Sequence, residues 1–370
     1  MIGSRGLGSH YGGVERMLDA LCPELAALGH QVDVYGRETG FAATTQGVRA
    51  VAIGGLPGKH GENLSRSAHA LCRAIGRYDI VHFHAIGPGI FSIATRLARQ
   101  KSLVTIHGLD HQRAKWGGFA KHCLRLAERT LIGNADGIVV VSENLRHYFE
   151  SMYGIATAFV PNGMPRGGRV PPGPVLAAHG VAPGRYLLFA SRLTPEKACH
   201  ELIDAFNGLD TDMRLVVAGA SGTNAYLASL RAAADPRRIC FVGHRSGDEL
   251  AELFSNAYAF ILPSHLEGMS MALLEAMSFG LPALVSDIEE NRAVVGSNAF
   301  FFPVGDVAAL RAALAQLIAA PREVGALALR LATLSRPRWA EIADRYDGLY
   351  HAVAAQKGNA AAWAALAAPR

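Results

Sequence analysis

Short apolar runs alternate with longer amphipathic stretches along almost the whole chain. In the first half the runs are HQVDVYG, DIVHFH, SLVTIHG and GIVVVSE. In the second they are YLLFASR, MRLVVAG, RICFVGH, YAFILPS and PALVSD. Each is rich in Val, Ile, Leu or Phe at successive positions, the pattern of a strand covered on both faces of a sheet. The stretches between them, such as VERMLDALCPELAALG and CHELIDAFNGL, carry apolar residues at three- and four-residue spacing, as amphipathic helices do. Strands alternating with helices predict βαβ units, parallel sheets and an α/β fold class.

The alternation breaks once. Pro161 to Arg185, PNGMPRGGRVPPGPVLAAHGVAPGR, is dense in Pro and Gly and reads as a connection between domains. The predicted organisation is an N-terminal Rossmann-like domain over 1–165, a linker over 166–183 and a second Rossmann-like domain over 184–335. A last helical pattern over 336–353, with Trp339, Tyr346 and Tyr350, is expected to return to the N-terminal domain, and the Ala-rich tail 354–370 to be mobile. Two such halves would face each other across a cleft. Ligands of open parallel sheets bind beyond the carboxyl ends of the strands, so the loops after the strands are where chemistry is expected.

A length of 370 residues suits two domains. The net charge of +5 lies entirely in the first half, where 17 Lys and Arg stand against 12 Asp and Glu up to Pro165. That excess is too small to point to nucleic acid, but it suits an anionic surface or a phosphorylated partner. Five scattered cysteines without a CxxC pair exclude a disulfide framework and a Cys-rich zinc site. There is no apolar stretch of membrane-spanning length and no leader-like start. The expected location is the cytoplasm or the inner face of the membrane.

Several stretches could carry chemistry. GSRGLGSHYGGVERML places Gly6, Gly8, Gly12 and Gly13 ahead of a helix, where backbone N–H groups can approach a phosphate; it is not a GxGxxG dinucleotide fingerprint. His82, His84 and His107 end two strands, without the spacing of metal ligands. HQRAKWGGFAKHCLRLAERTL interleaves Arg113, Lys115, Lys121, Arg125 and Arg129 with Trp116, Phe119, Leu124 and Leu126, as a membrane-surface helix or a solvated face would. SRLTPEKACHELIDAF sets Arg192 and Lys197 in a loop leading to a helix, two cations suited to a diphosphate, although a surface ion pair with Glu196 or Glu201 would account for either alone.

The stretch HLEGMSMALLEAMSFGLP holds Glu267 and Glu275 with seven residues between them. A helix is predicted from near Met271. Glu267 then precedes it, Glu275 lies about one turn in, and backbone N–H groups at Met269, Ser270, Met271 and Ala272 form an anion-binding terminus. Glu267 alone could be a capping acid, whereas Glu275 sits among apolar neighbours, and a buried carboxylate needs partners.

Together YGGVE, TIHG, VPNG, SRLTPEK and PSHLEGMSMALLEAMSFGLPALVSD resemble the family 4 glycosyltransferases of the GT-B fold, over nearly the whole chain. The opening MIGSRG…YGGVE and HGLDHQRAKWGGFAK are similar to members associated with bacterial polysaccharide assembly, including rhamnosyltransferase-like ones. The resemblance implies metal-independent, retaining transfer from a nucleotide sugar (UDP-, GDP- or dTDP-linked) to a lipid-linked or saccharide acceptor, with no cofactor. It puts Gly12 and Gly13 against the donor diphosphate and Arg192 and Lys197 on its oxygens. It puts Glu275 on the ribose, Glu267 and His107 at the transferred sugar, and His244 and Arg245 near the base.

Two features depart from the family pattern. Only Met1 and Ile2 precede the glycine loop, where the family has a longer strand, which leaves two readings: a wrongly placed start or a strand cut short. Met269 and Ser270 stand where Phe and Gly are usual. Two other readings suit the chain: a catalytically weak nucleotide-sugar-binding scaffold, which the short strand motivates, and a nucleotide-dependent oxidoreductase, which the missing GxGxxG opposes.

Overall fold

The computed structural model describes residues 1–9, 12–37, 47–56, 61–112, 117–221 and 223–355. Arg113, Lys115 and Trp116 of the basic, aromatic stretch lie outside them, as does the tail from 356 on. The chain forms two compact units, Met1–Gly163 with Pro337–Arg370, and Met164–Arg336.

The first unit runs α1 (Gly13–Ala27), β1 (Val32–Gly36), β2 (Val48–Ala52), α2 (Glu62–Ala74), β3 (Ile80–His84), α3 (Ile86–Gly89), α4 (Ser92–Leu97), β4 (Lys101–Ile106), α5 (Gly118–Asn134), β5 (Gly137–Val140), α6 (Glu143–Tyr153) and β6 (Ala158–Phe159). All strand pairs are parallel, in the orders β1-β2 and β3-β4-β5-β6. Met1 and Ile2 fill the place between the two sets. Tyr35 N–H donates to the Met1 carbonyl at 3.0 Å, Ile2 N–H to His82 O and His84 N–H to Ile2 O, both at 2.8 Å. Met1 and Ile2 thus bond to both β1 and β3, and Ile2 is 1% exposed.

The second unit runs α7 (Pro174–Ala178), β7 (Tyr186–Ala190), α8 (Cys199–Asn207), β8 (Arg214–Ala218), α9 (Asn224–Ala233), β9 (Ile239–Gly243), α10 (Gly247–Asn256), β10 (Ala259–Leu262), α11 (Met271–Ser278), β11 (Ala283–Ser286), α12 (Glu289–Val295), β12 (Phe300–Phe302), α13 (Val307–Ala319) and α14 (Pro321–Thr333). Its six parallel strands lie in the order β12-β11-β10-β7-β8-β9. Strands β7, β10 and β11 are buried at every position, which is why their sequences are apolar runs and not alternations. The core on one face joins Leu187, Phe189 and Leu215 to Leu202, Phe206 and Leu314 of the covering helices.

The stretch 166–183, expected as a linker, is folded onto the second unit. It contains α7, whose N-terminal amides at Gly173, Val175 and Leu176 donate to the buried Glu252 carboxylate of α10. A carboxylate there satisfies amides that the helix itself cannot pair and complements the helix dipole. Gly167 lies against Ser278, where an added Cβ would meet its carbonyl oxygen at 1.8 Å. The last helix, α15 (Trp339–Ala355), packs on α1, β3 and β4 of the first unit and runs to Ala355, two residues into the expected tail.

Candidate active site

In the second unit β7, β8 and β9 follow one another to one side, and β10, β11 and β12 to the other. The strand order therefore reverses between β7 and β10, the topological switch point at which the loops beyond the carboxyl ends diverge. The loop after β7 carries Arg192 and Lys197, and the loop after β10 carries Glu267 through Ser270.

Lys197 ends a 3₁₀ turn, Pro195–Lys197, and Ala198, at φ 51°, turns the chain into α8. Its Nζ lies 2.5 Å from Glu267 Oε1, with the two side chains 12% and 6% exposed. So the two residues assigned separately to phosphate and sugar share one ion pair. Removed from water, each charge requires the other. An ammonium carries three donors, so the bond to Glu267 does not exhaust it.

Two further contacts tie the same loops together. His265 N–H donates to Glu196 O at 2.9 Å, and His265 Nε2 lies 2.8 Å from Glu201 Oε1 on α8. Beneath them Ser286 Oγ donates to Ser264 O and Asn291 Nδ2 to Ser286 O, all buried. Gly219 makes a close approach possible next door: a Cβ there would meet Ser191 O at 1.9 Å, and its φ is +156°.

Helix α11 starts at Met271, as its sequence predicts. Ser270 is its N-cap, its hydroxyl accepting from Leu273 N–H at 3.3 Å. Met271 and Ala272 occupy the first turn, where the helix offers its amides no acceptor. Glu275 is the fifth helical residue, half-buried, while Leu273, Leu274, Ala276 and Met277 around it are buried. His244 and Arg245 follow β9, two strands from β7 in the sheet. Arg245 Nη1 lies 3.2 Å from Glu249 Oε1.

Gly12, Gly13 and His107 belong to the first unit. Its own switch point lies where Ile2 separates β1 from β3. The loop after Ile2 is shaped by close backbone approaches: a Cβ on Gly3, at φ +120°, would sit 2.4 Å from His84 O, and one on Gly36 2.3 Å from Gly6 Cα. Two acids of α1 hold it, with Arg5 N–H donating to Glu15 Oε1 at 2.9 Å and Gly8 N–H to Asp19 Oδ1 at 2.8 Å. Gly12 caps α1 without a side-chain bond and Gly13 begins the helix. Sequence reading missed Glu15 and Asp19 as loop anchors. Their signal is two acids four residues apart, hence on one helix face, just past a glycine loop.

His107 follows β4 and is not alone. His82 and His84, two apart on β3 and therefore on one face, stack at 4.3 Å between ring centroids, and His84 and His107 at 5.4 Å. His84 Nδ1 lies 3.1 Å from His107 Nε2. His82 Nδ1 lies 2.8 Å from Tyr350 Oη and its Nε2 2.8 Å from Thr105 Oγ1, which in turn is 3.2 Å from Tyr346 Oη. Burial pushes His82 and His84 well below the ordinary imidazole value of 6.5. Both rings are therefore neutral at pH 7.

Open parallel α/β units of this kind bind ligands in the loops beyond their strand ends, at the switch point. Two family profiles divide this chain between them: "Glycosyltransferase Family 4" matches residues 11–166 and "Glycosyl transferases group 1" residues 180–330. The chain belongs to these group 1, family 4 glycosyltransferases and has their GT-B fold.

It is 31% identical over 144 residues to the D-rhamnosyltransferase WbpZ of Pseudomonas aeruginosa, a match covering 38% of this chain and 37% of that protein. It is 28% identical to glycogen synthase of Mycobacterium tuberculosis over 94% of this chain and 92% of the relative. Among solved structures, sucrose-phosphate synthase of Thermosynechococcus elongatus superposes with a TM-score of 0.80 at 20% identity, over 95% of this chain and 97% of that one. Anabaena HepE in complex with UDP-glucose does so at 0.75 and 19%, over 93% and 98%.

Proposed function

We propose that this glycosyltransferase takes a sugar from a nucleotide-sugar donor and transfers it, with retention of the anomeric configuration, to a lipid-linked or saccharide acceptor in cell-surface polysaccharide synthesis. The observation that carries the reading is the Lys197–Glu267 pair at the switch point of the second unit, beside the capped N-terminus of α11. A cation and first-turn helix amides there suit a diphosphate leaving group, because they stabilise the charge that grows as the sugar–oxygen bond breaks. Relatives of this fold include a protein bound to UDP-glucose, which supports a nucleotide-sugar donor.

In this reading Arg192, Lys197, Met269, Ser270, Met271 and Ala272 bind the diphosphate, with Gly12 and Gly13 of the first unit. Glu275 binds the ribose, His244 and Arg245 lie near the base, and Glu267 and His107 address the sugar. The departing phosphate oxygen takes the acceptor proton on the same face, so no carboxylate base is needed.

The reading is tested by incubating the protein with a panel of UDP-, GDP- and dTDP-sugars and a lipid or saccharide acceptor, and determining the product linkage. No turnover of any donor by folded protein would overturn it, and binding of a nucleoside diphosphate without turnover would favour the scaffold alternative. Metal independence predicts an unchanged rate in excess EDTA; loss restored by Mg²⁺ would refute it.

Association with an anionic membrane is proposed from the basic first half and from α5, where Phe119 and Leu126 are 84% and 57% exposed near Arg125 and Arg129. Among the described residues no single helix is long and apolar enough to cross a membrane. Co-sedimentation with anionic vesicles should weaken as salt rises, and salt-independent behaviour would reject the proposal.

A further inference from the structure

His84 ends β3 wholly buried, with the His82 ring on one side and the His107 ring on the other. Its Nδ1 faces His107 Nε2 at 3.1 Å, while its Nε2 is buried without a hydrogen-bond partner. A neutral imidazole carries one N–H, so two arrangements are open. With the proton on Nε2, His84 buries a donor that nothing accepts, and His107 must donate through its own Nε2. With the proton on Nδ1, the donor is used on His107 and only a lone pair is left unmatched. Orphaned buried N–H groups are the rarer and costlier defect. The ring plane is held as well, since His84 stacks on His82, which is itself fixed between Tyr350 and Thr105.

We propose that His84 is a positioning residue: it donates from Nδ1 to His107 Nε2 and thereby holds His107 in the tautomer protonated at Nδ1. In that tautomer Nδ1 is the donor of the His107 ring, and its acceptor nitrogen is already occupied by His84. The functional sense of this arrangement rests on the reading above, in which His107 stands beside the transferred sugar; the tautomer itself does not.

The test is long-range ¹H–¹⁵N spectroscopy of the full-length protein labelled at histidine nitrogen, with His107 assigned by its loss in His107→Gln. The expected spectrum shows His107 Nε2 as an acceptor and Nδ1 as protonated at pH 7.5. His84→Asn, whose amide can donate from the Nδ1 position, keeps that tautomer. His84→Leu loses it and lowers kcat about tenfold to a hundredfold, with the donor KM within about twofold, by analogy with other partners that orient a functional histidine. A protonated His107 Nε2 in the wild-type protein, or an unchanged tautomer in folded His84→Leu, would overturn the proposal. Full activity of His107→Gln would instead overturn the catalytic reading of His107, leaving the wild-type spectrum to decide the tautomer.

Discussion

Lys197 and Glu267 are each nearly buried, and their pairing separates stability from function. Glu267→Ala and Lys197→Ala each remove one half of this largely buried ion pair, and each is expected to cost about 3 kcal/mol. Lys197→Met combined with Glu267→Leu removes both charges and should stay close to wild type in urea unfolding. All three variants should lose on the order of a hundredfold in transfer rate. A double variant as unstable as the singles would contradict the paired-charge account. The buried histidines supply a pH prediction. In the folded state His82 and His84 resist protonation, while in the unfolded chain they titrate near 6.5. The unfolded state then binds more protons below that pH, so stability should fall as pH drops through 6.5, by at most about 1.4 kcal/mol per pH unit for each ring. His84→Leu should flatten the slope measured by denaturant unfolding between pH 7.5 and 5.5. Arg192, Lys197, Glu267 and His107 could be picked out in sequence because loops after apolar runs are where a parallel sheet binds ligands. The contact between Lys197 and Glu267 could not, since 70 residues separate them.

At the scale of elements, the long apolar runs were legible and the short strands were not. β2, β6 and β12 lie in VRAVA, AF and FFF, the first exposed at Arg49, Ala50 and Ala52 and the second two residues long. β6 and β12 are too short to show a period, and β2 is mostly exposed, so none of the three gives the longer buried apolar run that marks a central strand. Helix α7 was hidden for another reason. Its Pro and Gly neighbours read as a connection, and only Glu252, 79 residues beyond Gly173, shows why the stretch folds. Glu252→Ala leaves three amides without their acceptor and should cost about 3 kcal/mol, with faster amide exchange at Gly173, Val175 and Leu176 as the check; unchanged exchange would count against the anchor. The glycine loop depends on backbone contact in the same way. Gly36→Ala places a Cβ against Gly6 and should displace the loop, read as weaker nucleotide-sugar binding with α1 intact by circular dichroism.

Across the whole molecule the first unit is discontinuous, closed by α15 after the chain has built the second. Ending the chain after Arg336 would take away Tyr346 and Tyr350, leave His82 Nδ1 and Thr105 short of partners, and uncover the faces of α1, β3 and β4. That truncation should unfold the first unit and spare the second, so that limited proteolysis leaves a protected fragment beginning near residue 164. Equal protection of both units would show that α15 is dispensable.

By itself the sequence determined the α/β class, most of the strands and the family. It also marked the loops that bear charge, because these follow from local hydrophobic period and from residue types at fixed short spacings. Only the tertiary structure decided that Met1 and Ile2 complete a sheet, that Glu15 and Asp19 hold the glycine loop, and that His84 stands behind His107. It alone paired Lys197 with Glu267. Each of these is a contact between backbone or side chains brought together by strand order, and strand order is set by how the sheets bury their faces, which no local stretch of sequence records.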